Sequence, residues 1–200
     1  MRIVGGRFRG KRLVAPDTFG VAAGGGGAHL RPTSDRVRES LFNLLAHGPY
    51  GDPPPPEGRR VLDLFAGTGA LGLEALSRGA ARAVFIDDFA ASRALIRENA
   101  DSLGLTGQIK IWRRDATRLG PWRGEPFGLI FADPPYGSEL GGKALASARD
   151  GGWIAPDAII VLEHAAAEDI AENIRAADWL ILADQRRYGA TMISIFRAEG

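Results

Sequence analysis

The spacing of apolar positions in this 200-residue chain changes several times along its length. Residues 1–14 alternate and carry glycines at positions 5, 6 and 10, which predicts a small β-hairpin. Over 33–46, Val37, Leu41, Leu44 and Leu45 recur at helical spacing behind Thr33 or Ser34 as cap. From residue 60 onward, short apolar runs at 61–65, 83–86, 109–112, 127–132 and 158–162 alternate with helical patterns near 70–78, 90–103, 139–149 and 166–176. Such runs, joined by helices, predict a parallel sheet covered on both faces. The last two runs, 179–183 and 191–196, leave no room for a crossover helix and predict an antiparallel pair. The expectation is an α/β, Rossmann-like, seven-stranded, mostly parallel sheet that ends in an antiparallel hairpin. Glycines 24–27 predict a flexible loop over 20–28, and prolines 53–56 a stiff extended connection over 48–58. Residues 1–30 then form a basic hairpin and loop ahead of one main domain, 31–200.

Composition removes several chemistries. The chain has no cysteine, which excludes disulfides, thiolate metal sites and any cysteine nucleophile. His29, His47 and His164 have no ligand spacing, so no metal is expected. No apolar run approaches the ~18 residues of a membrane span, and the first residues lack a signal-peptide core. A cytoplasmic protein is expected.

Net charge is only +1, but the charge is unevenly placed. Residues 1–14 hold Arg2, Arg7, Arg9, Lys11 and Arg12 and no acid. Residues 110–123 hold Lys110, Arg113, Arg114, Arg118 and Arg123 against Asp115 alone. Of the 25 basic residues 22 are arginine, whose fork suits phosphate. Local basic patches on a near-neutral chain point to a polyanionic partner. Arginine-rich codon usage is the plainer explanation of the total, less so of the acid-free N-terminal run.

The first chemical motif is a glycine-rich turn, Asp63-Leu64-Phe65-Ala66-Gly67-Thr68-Gly69-Ala70-Leu71-Gly72, at the carboxyl end of the first parallel strand. Gly67 and Gly69 suit a tight turn against a ligand, and Gly72 suits close packing of helix on strand. A dinucleotide would fit such a turn. Asp63, four residues before Gly67, favours S-adenosylmethionine, because a carboxylate there can hold the amino group of the methionine part. Asp87, at the end of the second strand, can accept from ribose hydroxyls of either cofactor. Asp115 follows the third strand; it can face the adenine or cap the helix that begins near Ala116. Asp63, Phe65, Gly67, Gly69, Asp87 and Asp115 are the candidate cofactor contacts.

The second motif is Asp133-Pro134-Pro135-Tyr136, directly after the strand at 127–132. Two prolines cannot continue a central strand and hold the backbone extended. The Asp133 carboxylate and the Pro134 carbonyl can then accept from the two N–H groups of an aryl amine. That frees a lone pair otherwise delocalised into the ring, and Asp133 can take the displaced proton. Tyr136 can stack on the base. Asp133, Pro134 and Tyr136 are the candidate catalytic residues.

With these motifs in place, the chain resembles the RsmD-type family of bacterial small-subunit (16S) ribosomal RNA guanine N2-methyltransferases. The resemblance spans nearly the whole length. It rests on Arg2-Ile3-Val4-Gly5-Gly6, Arg9-Gly10-Lys11, the segment 30–43 (LRPTSDRVRESLFN), 63–78 (DLFAGTGALGLEALSR), 133–136 and Gly152-Trp153-Ile154. It implies a class I methyltransferase fold, S-adenosylmethionine as donor, and the N2 amine of one guanine in 16S ribosomal RNA within an assembling 30S subunit. No membrane partner is implied, and a monomer is expected. Phe89 departs from the pattern, standing where the family has a second acid. The arginines expected on RNA are Arg2, Arg7, Arg9, Arg12, Arg36 and Arg38, with Lys11; Arg36 and Arg38 could instead meet the cofactor carboxylate or lie on a solvated helix face. A DNA adenine N6-methyltransferase would also use Asp133–Tyr136, but no insertion here is large enough to serve as a target-recognition region. An NAD-dependent oxidoreductase would leave that segment idle. A non-catalytic RNA-binding factor would not need Asp63, Asp87 and Asp133 intact.

Overall fold

A computed structural model describes residues 1–15, 34–135, 139–167, 174 and 177–199. Its strands are β1 (Arg60–Leu64), β2 (Arg82–Ile86), β3 (Ile109–Trp112), β4 (Phe127–Ala132), β5 (Ile154–Ala165), β6 (Leu180–Tyr188) and β7 (Thr191–Ala198). They form one sheet in the order β3-β2-β1-β4-β5-β7-β6. The first five run parallel, and β7 is antiparallel to both β5 and β6. The chain reverses direction beside β1, between β2 and β4. That switch point is where open α/β sheets bind ligands, beyond the carboxyl ends of their strands.

Helices α1 (Asp35–His47), α2 (Ala70–Ser77) and α3 (Ala90–Ser102) cover one face, and α4 (Leu140–Asp150) covers the other. Central strands read as unbroken apolar runs because alternate residues enter two different cores. Val61, Leu129, Phe131 and Val161 pack under α1 and α2, while Leu62, Leu64, Ile130 and Leu162 pack toward α4. A fully buried Leu, Ile or Phe contributes roughly 1.5–3 kcal/mol, so this two-faced burial holds β1 and β4 in register. The second core is closed by Trp112, Trp122, Trp153 and Phe127, all in ring contact. Trp153 is wholly buried, and its Nε1–H donates to the Gly120 carbonyl at 2.8 Å.

Several sequence expectations change. Residues 1–14 pair across an antiparallel bridge between Arg2 and Arg12, but a 3-10 turn over Gly6–Phe8 takes the place of a regular hairpin ladder. Ile3 and Leu13 from this segment enter the same core as α1. The proline segment folds back as turns rather than running extended: Glu57 N–H donates to Pro54 O and Arg59 N–H to Pro56 O. β5 begins at Ile154, and β6 continues to Tyr188, leaving Gly189-Ala190 as the turn. The glycine loop at 20–28 lies outside the described residues, as does most of the 166–176 pattern.

Candidate active site

The site is built where β1 and β4 stop. β1 ends at Leu64, and Phe65 turns the chain in the left-handed region, φ 58. Such backbone is costly for a residue with a side chain and marks a constrained junction. Phe65 is half-buried against the core on the α4 side. Gly69, at φ 76, then caps α2. Two backbone bonds fix the loop between them: Ala66 N–H donates to Ile86 O of β2, and Gly69 N–H to Ala66 O. Gly72 is needed for close approach. A Cβ there would sit 2.4 Å from Phe85 Cε1 and 3.0 Å from Asp63 Oδ2.

That closeness lets Gly72 N–H donate to Asp63 Oδ2 at 2.9 Å. Asp63 is 2% exposed. Burial pushes its carboxyl up to about 8; the Gly72 N–H works against that, and the nearby Asp87 charge adds to it. A carboxylate so desolvated, beside a glycine turn, fits a cationic amino group, which would relieve the cost of ionising it. Asp87 is also buried. Its Oδ2 accepts from Gly67 N–H and its Oδ1 from Phe89 N–H, each at 2.8 Å. Burial raises its carboxyl, against these hydrogen bonds. Asp87 thus ties the glycine turn to the head of α3, where the Ser92 side chain also bonds to it. Phe89 stands 63% exposed beside it.

Asp115 does what a cap does. Its Oδ1 accepts from Thr117 N–H and Oγ1–H at 2.8 and 2.7 Å, and these bonds hold its carboxyl below the usual carboxylate range. Asp115 therefore caps the 3-10 turn Ala116–Arg118 that follows β3.

Asp133 follows β4, half-buried, with its N–H directed at Leu64 O of β1 at 3.5 Å. This places it next to the glycine turn, as the two motifs together predict. Pro134 is buried behind it, and Tyr136 lies outside the described residues. Desolvation holds the Asp133 carboxyl well above the ordinary range, and the charges of Glu163 and Asp63 push the same way. No sequence motif singles out Glu163. It is a buried carboxylate on β5, in an otherwise apolar run, at the same end of the sheet. An isolated acid inside IIVLEHA is the one signal the chain offers for it.

The basic residues divide sharply. Arg7, Arg9, Lys11, Arg12 and Arg36 are exposed. Arg7 lies over the Phe8 ring and donates to Gln108, and Arg2 pairs with Asp35 while its side chain stays 64% exposed. Arg38 is a correction: it is wholly buried and cannot meet RNA phosphate in this fold. It pairs with Asp35 at 2.8 Å and with the buried Glu74 at 3.6 Å, and it donates to the Arg2 carbonyl. The reason is its place on α1, where positions 38, 41, 42 and 45 form one buried stripe. Burial works against ionising Asp35, but the hydrogen bonds from Arg38 and the Arg2 N–H outweigh it and keep its carboxyl low. In the second basic stretch, Arg113, Arg118 and Arg123 are exposed, whereas Arg114 stacks on Trp112 and donates to the Leu119 carbonyl. His47 bonds to its own helix at Asn43 O, and His164 to Ser194 Oγ; His29 is outside the described residues. A concavity of about 540 Å³ between α3 and β3, lined by Arg97, Asp101 and Ile109 among others, contains none of the site residues.

Known proteins share this layout. The chain is 40% identical over 164 residues to Ribosomal RNA small subunit methyltransferase D of Escherichia coli (strain K12), covering 82% of this chain and 74% of that protein. It is 30% identical over 188 residues to the protein of the same name from Haemophilus influenzae, covering 92% and 88%. The solved structure of Escherichia coli yhhF superposes with a TM-score of 0.77 at 31% identity, over 100% of this chain and 98% of that one. The family model described as Conserved hypothetical protein 95 matches residues 1–197. With Asp63, the glycine turn and Asp133 gathered at one switch point, the chain belongs to that family, the RsmD-type family whose motifs its sequence carries.

Proposed function

We propose that this protein transfers a methyl group from S-adenosylmethionine to the exocyclic N2 amine of a guanine in 16S ribosomal RNA. It acts in the cytoplasm, as a monomer, on the assembling 30S subunit. The observation that carries the reading is the adjacency of two acids with different roles. Asp63 lies behind the glycine turn on β1, and Asp133 lies beyond the next strand, joined to β1 through Leu64.

The donor set fits the cofactor. Asp63 would hold its amino group, Asp87 its ribose hydroxyls, and the turn from Phe65 to Gly69 its methionine part. When bound, S-adenosylmethionine supplies a methyl group already activated on a sulfonium. What remains for the protein is positioning and proton handling. Asp133 and the Pro134 carbonyl accept from the amine, which frees its lone pair, and Asp133 takes the proton the nitrogen sheds. Tyr136 stacks on the base. The chain divides at residue 30 into a basic N-terminal extension and the methyltransferase domain. Arg2, Arg7, Arg9, Lys11, Arg12 and Arg36 contact RNA phosphate.

No described helix is long and apolar enough to cross a membrane. Incubation of undermethylated small subunits with labelled donor should place label on guanine N2. Label found only on DNA adenine would overturn the reading.

A further inference from the structure

Glu163 has no part in the mechanism above, yet it lies in its midst. β4 and β5 pair in parallel with Ala132 opposite Leu162, so Asp133 continues the register opposite Glu163. Phe131 and Val161, one pair earlier, enter the core under α1, and Leu162 enters the other core. Strand alternation therefore sends Asp133 and Glu163 to the α1 face. Asp63 of β1 joins them there, since it pairs with Phe131 of β4. Glu163 is 6% exposed, in a strand whose neighbours are apolar.

We propose that Glu163 is a positioning residue for methyl transfer: its buried carboxylate, set beside Asp133, makes Asp133 a stronger acceptor for the amine proton. This rests on the reading that Asp133 serves an exocyclic amine. The amine nitrogen forms the new N–C bond with its own lone pair, the pair of the broken C–S bond goes to sulfur, and the nitrogen's proton goes to Asp133. A lone exposed carboxylate is a poor acceptor near neutrality. Desolvation and a second negative charge both strengthen it, and both act on Asp133 here.

Other charged groups, too, pack on this face among the described residues. Asp63 comes from β1 and adds to the effect of Glu163. Arg38 of α1 and Glu74 of α2 are tied to each other, with Asp35 and Arg78 completing the set. Arg36 and Glu39 of α1 are exposed, and the Tyr188 hydroxyl of β6 is bonded to Ser40. His164 follows Glu163 on β5 but alternates to the opposite face, bonded to Ser194.

The test is the pH dependence of single-turnover methylation of undermethylated 30S subunits, from about pH 5 to about pH 9, for the wild type and Glu163→Gln. The wild type should show an acid limb above the ordinary carboxylate range. Glu163→Gln should move that limb to lower pH and lower the plateau by about tenfold, a fraction of what a whole acid–base group contributes. Its thermal stability and S-adenosylhomocysteine affinity should stay near wild type. Coincident profiles for the two proteins overturn the proposal. If Glu163→Gln does not fold, Glu163→Asp decides: a limb kept above the ordinary range supports the proposal, and a limb within it overturns it. Failure of the wild type to label guanine N2 would instead be failure of the functional reading.

Discussion

The two halves of the site both bury carboxyls but surround them differently. On the β1–β2 side, Asp63 and Asp87 accept backbone N–H groups from Gly72, Gly67 and Phe89, so their oxygens are held by the turn itself. On the β4–β5 side, Asp133 sits among carboxylates, with Glu163 and Asp63 both raising it. The first arrangement fixes where an anion is, and so suits binding of a cation or hydroxyls. Burial raises the carboxyls of both halves; in the first the N–H groups oppose the rise, and in the second neighbouring carboxylates add to it, which suits taking up a proton. The difference is topological. A helix N-terminus follows β1 immediately and supplies amides, whereas after β4 two prolines supply none.

The largest expected effect separates the halves directly. Asp133→Ala should lower the rate of methyl transfer by about 10²–10⁴-fold while S-adenosylhomocysteine still raises the melting temperature. Retained activity would remove Asp133 from its role. Next comes Asp63→Asn, expected to weaken S-adenosylhomocysteine by about 10–100-fold in calorimetry, the range of a hydrogen bond to a charged group. The same variant tests the pH sign. A carboxyl raised in the folded state contributes stability below the unfolded range, near pH 4, and that stability is lost as pH rises through about 8. Asp63→Asn should therefore flatten the fall in melting temperature over that window; an unchanged slope would contradict the burial of this charge. Gly72→Ala should cost about 1–3 kcal/mol in denaturant titration, because its Cβ meets the Phe85 ring and the Asp63 carboxylate together. The smallest effect lies outside both halves. Arg9→Ala or Lys11→Ala should leave stability unchanged and reduce the salt slope of RNA binding by roughly 0.7–0.9 for each phosphate that the side chain neutralises. An unchanged slope would take these residues off the RNA.

The glycine turn, Asp133 and the central strands can be read in the chain because each leaves a local signature: fixed spacing, prolines, or a run apolar on both faces. The apolar pattern cuts β6 short because β6 is an edge strand. Gln185, Arg186 and Arg187 pair with β7 while facing solvent, so no burial pattern marks them. The first half of β5 hides similarly behind Pro156 and Asp157, the latter at φ 58. Charge alone puts Arg38 on RNA, although its spacing to Leu41, Phe42 and Leu45 sets it on the buried stripe. Glu163 acquires its meaning from Asp133, which is distant in sequence and adjacent only through the strand pairing.

The N-terminal segment has a consequence for how the chain is made. Val4 N–H donates to Glu74, and Phe8 N–H to Ser77 Oγ, which itself donates to Gly5 O. Val14 exchanges two hydrogen bonds with Asn99, 85 residues away, and Asn99 also holds the Thr68 carbonyl. The basic arm leaves the ribosome well before the residues it docks on. At 5–20 residues per second it waits about 4–17 s before α3 exists to receive it. During that interval its arginines are unanchored, and they settle only once the chain around the glycine turn has formed.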